Sequence, residues 1–285
     1  SSKRGFVTTD AVRFGGGMGN IEREGNLSEL PRCLEGARYY AQWAGAPYKV
    51  YSGREGKNDY ADDINTRSLM TNWLGGGSVY MPALEGKNVP IELSLALHSD
   101  AGYNRDGKST WGALSICTTD FNDGMLNSGV SRMASKDFAR ALRDNLVTDI
   151  SAIYGEFGKR YLWDRNYSET RLPEVPSAIL EMLSHQSFPD MRIAQDPMGK
   201  FAIARSIYKT ILRYINSNHD KPYVVQPLAP KNFSVELDDN FANLSWTPQL
   251  DSIEPSARPT RYIVYKAEGK GGFDNGTVVR RPNCQ

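Results

Sequence analysis

Two apolar runs that each end in a reactive side chain constrain this chain most. Ile91-Glu92-Leu93-Ser94-Leu95-Ala96-Leu97 leads into His98-Ser99-Asp100, and Val175-Pro176-Ser177-Ala178-Ile179-Leu180 leads into Glu181. Short apolar runs of this kind fit buried strands. Buried strands of open α/β sheets deliver functional groups at their carboxyl ends, so an imidazole and a carboxylate can share one cleft there. Such a pair suits metal-assisted hydrolysis.

The chain of 285 residues has room for one large domain, or for one such domain plus a small module. Lys and Arg total 34 against 33 Asp and Glu, a net charge of +1, and no basic stripe with interleaved aromatics is present. Nucleic-acid binding therefore lacks its electrostatic footprint. The three cysteines, Cys33, Cys117 and Cys284, form no CxxC pair, which argues against a zinc knuckle or a dense disulfide framework. No apolar stretch approaches the ~20 residues that span a bilayer. Ser1 opens without a charged and apolar leader, so if the chain is exported, to the periplasm, the envelope or the outside, its signal has already been removed. The 15 tyrosines and 5 tryptophans, several in Gly- and Asn-rich loops, suit sugar stacking as well as core packing.

Alternation of elements implies an α/β domain over residues 1–217: a layered sheet with flanking helices. Gly5 to Thr9 reads as a strand that enters the glycine-rich turn Arg13-Phe14-Gly15-Gly16-Gly17. That turn lacks both a P-loop lysine and dinucleotide spacing. A helix is expected from Pro31 to Ala44, a strand over Tyr48–Tyr51 and a helix from Tyr60 to Leu74 with Ile64, Leu69 and Trp73 inward. Trp111 to Thr118 reads as a strand. A long helix from Ser135 carries a core stripe of Phe138, Leu142, Leu146, Ile150 and Ile153, and Trp163 falls in a loop. Asp196-Pro197 opens a last helix with Phe201, Ala204, Ile207, Tyr208, Ile211, Leu212 and Ile215 on its apolar side.

Residues 218–229 read as a linker. From 230 to 285 the texture becomes all-β: Phe233–Leu237, Ala242–Trp246 and Tyr262–Tyr265 are short alternating strands between turns. These segments resemble a fibronectin type III sandwich. Residues 231–285 are fewer than the ~100 that such a sandwich uses, so a partial module with an exposed edge is expected.

Several segments in order, over most of residues 5 to 216, resemble the zinc-dependent N-acetylmuramoyl-L-alanine amidases. Leu95-Ala96-Leu97-His98-Ser99-Asp100-Ala101 is similar to the strand end where that family places a zinc histidine. Val175 to Ser184 is similar to the strand that carries its catalytic glutamate, here Glu181. Arg67 and Asn72 match a pair on its second helix, and Phe188-Pro189-Asp190 and Asp196-Pro197 fall in place downstream. A nearer resemblance is to amidase-like envelope proteins of Bacteroidetes, some labelled xanthan lyases, through Val12 to Gly19, Glu35 to Tyr39 and Gly272 to Gly276.

The resemblance implies peptidoglycan, or another envelope glycan, as partner and Zn2+ as cofactor. It implies His98 and Glu35 as metal ligands, with Glu29 the other candidate glutamate, and Glu181 as the base that takes a proton from the metal-bound water. Asp100 and His185 are expected to contact substrate. The family's first zinc histidine is absent, and Arg13 stands in its turn, where a guanidinium can polarise a carbonyl or hold a carboxylate but cannot acidify water. The expected reaction is hydrolysis of the amide between N-acetylmuramic acid and L-alanine. A cell-wall or glycan-binding domain without catalysis is the alternative, and a polysaccharide lyase, with Glu181 or His98 as base and Arg13 as cation, a further one.

Overall fold

The computed structural model describes residues 22–23, 25–27, 29–239 and 241–284. The strand expected at Gly5–Thr9 and the turn with Arg13 lie outside them. The chain divides into two compact units, with the boundary between Ile207 and Tyr208.

Unit 1 begins with a two-residue antiparallel pair, β1 (Glu22–Arg23) and β2 (Asn26–Leu27). A single 3-10 turn at Arg32–Leu34 leads to α1 (Ala37–Trp43), α2 (Tyr48–Tyr51) and α3 (Asp59–Gly75). Then follow β3 (Ser94–Asp100), β4 (Ala113–Cys117), α4 (Met133–Tyr154), β5 (Lys159–Asp164), α5 (Ser168–Arg171), β6 (Ser177–Ser184), α6 (Phe188–Gln195) and α7 (Pro197–Asn218), whose second half belongs to unit 2.

The central sheet has the order β3-β6-β4-β5. β3 runs parallel to β6 and β4 parallel to β5, while β4 and β6 are antiparallel. β4 and the first half of β6 are buried throughout, which is why both read as continuous apolar or small-residue runs. Helix α4 packs on β4, β5 and β6, with Phe138, Leu142, Leu146 and Ile150 buried at helical spacing. Ile153, expected on the same stripe, is 57% exposed in the last turn before Gly155.

The other departures have local causes. Tyr48–Tyr51 forms one helical turn rather than a strand. It packs on α1 and α3 and drives Val50 into a cluster with Ala41, Ala46, Leu69, Trp73 and Met81, with no strand beside it to pair with among the described residues. Trp163 is not in a loop but on the edge strand β5, opposite Ile116, packed against Leu114, Ile116 and Ile179. On α7 the buried positions are Ala202, Ile203, Ser206, Ile207, Lys209 and Thr210, a stripe offset from the expected one, so Phe201 is 48% exposed.

Helix α3 buries a mostly polar face: Asp62, Thr66, Ser68 and Asn72 beside Leu69 and Trp73. Each of these polar groups is satisfied. Asp62 accepts from the amides of Arg54 (2.6 Å) and Gly56 (3.0 Å), Thr66 donates to the Asp62 carbonyl, and Ser68 donates to the Ser168 carbonyl. Asn72 donates to the Leu172 carbonyl at 2.9 Å and accepts from Glu174 N at 3.0 Å. Polar bonds from α3 thus fix the segment around α5.

Asp190, fully buried, ties three more segments together. Its carboxylate accepts from Trp111 N (2.7 Å), Gly112 N (3.0 Å), Ser184 N (2.8 Å) and Ser187 Oγ (3.0 Å). Gly112 has φ +82°, and a Cβ there would fall on the Gly158 carbonyl oxygen, so only glycine lets β4 and β5 start side by side.

Unit 2 carries a three-stranded antiparallel sheet, β11-β8-β7, and a two-stranded one, β10-β9. Its strands are β7 (Lys231–Asp238), β8 (Phe241–Thr247), β9 (Tyr262–Val264), β10 (Thr277–Val279) and β11 (Asn283–Cys284). Trp246 on β8 is buried and meets the Tyr262 ring of β9 edge to face at 5.1 Å, which joins the two sheets.

Candidate functional site

The register of β3 on β6 makes His98 and Glu181 direct Cα partners, and Leu114 of β4 lies on the other side of Glu181. Residues paired in register project to the same face of a sheet. The two reactive groups at the ends of the apolar runs therefore meet. His98 Nδ1 lies 3.8 Å from Glu181 Oε1, too far for a hydrogen bond but close enough for charge to matter.

The second nitrogen of His98 is engaged. Its Nε2 lies 3.1 Å from Oε2 of Glu169, on the short helix α5. The other Glu169 oxygen accepts from Arg67 Nη1 at 3.2 Å, and Arg67 Nη2 lies 3.3 Å from Asp63. Asp63, Arg67, Glu169, His98 and Glu181 thus form one chain of alternating charge. Its electrostatics follow: the hydrogen bond to Glu169 outweighs burial and raises the His98 pKa, with the charges of both glutamates adding to it. Burial pushes Glu169 up, but its bonds to His98 and Arg67 bring its net pKa below the ordinary value.

Glu181 is shifted the other way. Burial raises its pKa, and the neighbouring charges of Asp100 and Glu169 add to this against the opposing pull of His98 and Arg160. Its Oε2 is buried with no hydrogen-bond partner among the described residues. A carboxyl whose pKa is raised in this manner, with one oxygen facing an imidazole, is suited to taking up and returning a proton.

Asp100 ion-pairs with Arg160, whose guanidinium lies 4.6 Å over the Trp111 ring, so Arg160 is bonded to Asp100 and acts on Glu181 only as a nearby charge. His185 sits in the turn after β6: its Nδ1 is 3.1 Å from Ser99 Oγ, and its amide donates to the Asp100 carbonyl. His219 is exposed. Glu35 precedes α1, and Arg13 lies outside the described residues.

The arrangement does not suit a zinc ion. Among the described residues no three His, Cys, Asp or Glu side chains are grouped to hold a metal. Both nitrogens of His98 face carboxylates, so neither is turned to an open position beside other ligands. Neither His98 nor Glu35 belongs to such a group of three among the described residues.

Sequence reasoning found His98 and Glu181 but gave no role to Glu169 or Asp63. Glu169 lies in the polar segment Ser168-Glu169-Thr170-Arg171, where neither periodicity nor motif marks it. The one available signal was Arg67 on α3, a cation at helical spacing from Asp63 that needs a second partner.

No family model matches the chain, and no curated protein matches it. Among solved structures, it is similar to an N-acetylmuramoyl-L-alanine amidase from Clostridium difficile 630, at 14% identity over 59% of this chain and 79% of that one, with a TM-score of 0.38. The CwlD amidase from Clostridioides difficile, solved in complex with the GerS lipoprotein, is 15% identical over 59% of this chain and 70% of its own, with a TM-score of 0.40. The N-acetylmuramyl-L-alanine amidase Ami1 from Mycobacterium smegmatis is 18% identical over 54% and 61%, with a TM-score of 0.39. Likeness of this degree assigns neither activity nor substrate.

Proposed function

We propose that unit 1 hydrolyses the amide between N-acetylmuramic acid and L-alanine in peptidoglycan, with Glu181 as the proton-transferring group. The observation that carries this reading is Glu181 itself: a carboxyl with a raised pKa, one oxygen unpartnered among the described residues and the other beside the imidazole of His98. The substrate class comes from the resemblance of the segments around His98 and Glu181 to the amidases.

In the proposed reaction Glu181 takes a proton from water as the water oxygen bonds to the amide carbonyl carbon. The carbon–nitrogen bond then breaks, and the proton passes from Glu181 to the departing amine of alanine. His98, whose positive charge is favoured by its bond to Glu169, stabilises the charge that builds beside it. General acid–base transfer contributes about 10²–10⁴-fold, so Glu181→Gln is expected to lower the rate by at least about 100-fold. The assay is release of new amino-terminal alanine from a purified muropeptide. No release, or release undiminished in Glu181→Gln, overturns the proposal.

A second reading has its own support. The alternation of charge from Asp63 to Glu181 neutralises the site internally, as a binding surface without turnover would tolerate. Peptidoglycan binding that survives Glu181→Gln, with no alanine released by wild type, selects it. Unit 2 fits a fibronectin type III-like module, on the strength of two antiparallel sheets joined at Trp246. An exported envelope protein accords with both units; among the described residues no helix is long and apolar enough to cross a membrane.

A further inference from the structure

Strand β7 of unit 2 has a free side. It ends the order β11-β8-β7, so among the described residues no strand pairs with its outer edge, and all eight of its residues are exposed. An open edge of main-chain donors and acceptors is a template for another strand.

The side chains of β7 divide by face. Val235 and Leu237 pair with Leu244 and Ala242 of β8, and the Phe233 ring lies 6.5 Å from that of Trp246, which makes one face apolar. Phe233, Val235 and Leu237 are nevertheless 62%, 50% and 83% exposed. Ser234 and Glu236 oppose Ser245 and Asn243 on the other face. Charge separates along the same strand: Lys231 stands at its start and Asp238 at its end, and neither forms an ion pair among the described residues.

This pattern is complementary to itself. The register shift around Asn232, which has φ +52°, leaves Phe233 to Leu237 as the regular stretch, and Val235 is its midpoint. A two-fold axis at Val235 sets Phe233 of one copy opposite Leu237 of the other, Val235 opposite itself and Ser234 opposite Glu236, so each face meets its like. The same axis brings Lys231 of each copy to the Asp238 end of the other. An axis at Glu236 would set two carboxylates opposite each other, and an axis between residues would set apolar side chains against polar ones. The charges and the apolar positions therefore agree on one occupant of this edge, an antiparallel β7.

We propose that β7 is a dimer interface, joined edge to edge and antiparallel with β7 of a second copy of this chain. Such a pair is closed, because it covers this edge in both copies. The proposal is independent of the hydrolysis assigned to unit 1. One strand per copy makes a small interface of the weak, transient class, so the test is sedimentation equilibrium of the full chain at low salt up to about 1 mM. A dimer that grows with concentration is expected. Val235→Lys sets two ammonium groups opposite each other at the axis and is expected to weaken the dimer at least about tenfold. Lys231→Glu and Asp238→Lys are each expected to weaken it about threefold or more, and the two combined in one chain to restore it to within about twofold. All three positions are exposed, and circular dichroism of each variant checks that the fold is kept. A monomer at every concentration, association that runs beyond two copies, a dimer indifferent to Val235→Lys, or a combined charge variant that fails to recover what each single change loses overturns the proposal.

Discussion

Glu181 is a carboxyl whose surroundings oppose its charge. Burial raises its pKa, so the folded chain holds this proton more tightly than the unfolded one, and ionisation costs stability as pH rises above the ordinary carboxyl value of about 4.3. Glu181→Gln should therefore melt higher than wild type at pH 8, with the gap closing by about pH 4; thermal melts across that range check the sign. At His98 and Glu169, in contrast, the surroundings favour the charged form. The raised His98 pKa contributes stability below about pH 6.5 that is lost as pH climbs through its folded value. The lowered Glu169 pKa contributes above about pH 4.3 and is lost as pH falls through its folded value. Glu169→Gln should accordingly cost most between these limits, near pH 5.5, and less at about pH 9, where the Arg67 pair remains and the His98 charge is gone; chemical denaturation at the two pH values measures the difference. Of these three residues, His98 and Glu181 were legible because each terminates an apolar run. Glu169 was not, because its role depends on a four-residue helix that nothing local in the sequence specifies.

Helix α5 is too short to hold Glu169 in place by its own hydrogen bonds. It is held from outside. Arg132, 2% exposed, donates to the Met125, Thr170 and Arg171 carbonyls, and burial lowers its pKa because no carboxylate compensates it among the described residues. Ser177 Oγ donates to the Thr170 carbonyl and Ser68 to that of Ser168. Arg132→Met leaves these buried carbonyls without partners and is expected to destabilise the chain by about 2–4 kcal/mol, read by urea denaturation. Asp190→Ala orphans three backbone amides and a hydroxyl and should cost at least as much, about 3–5 kcal/mol by the same measurement. At this scale, strands in the buried sheet and the long helix α4 were plain from periodicity. Tyr48–Tyr51 and Trp163 were not: the same aromatic and β-branched residues serve a helical turn between two helices or an edge strand, and only their neighbours decide which.

The whole molecule joins an α/β unit built for a site at one end of its sheet with a second unit whose sheets, beyond the end of α7, are all antiparallel. That change of texture was visible in the sequence, since alternation of period two replaces helical spacing after residue 230. The metal question was not, because ligation depends on which side chains meet across the fold. His98 meets Glu169 and Glu181, and no set of three ligands gathers among the described residues. The measurement that separates a carboxylate–imidazolium site from a zinc site is the metal content of purified protein after dialysis against trace zinc, wild type beside His98→Ala. A site run by Glu181 and His98 predicts zinc well below one per chain in both samples. Zinc near one per chain in wild type, lost in His98→Ala, would contradict it.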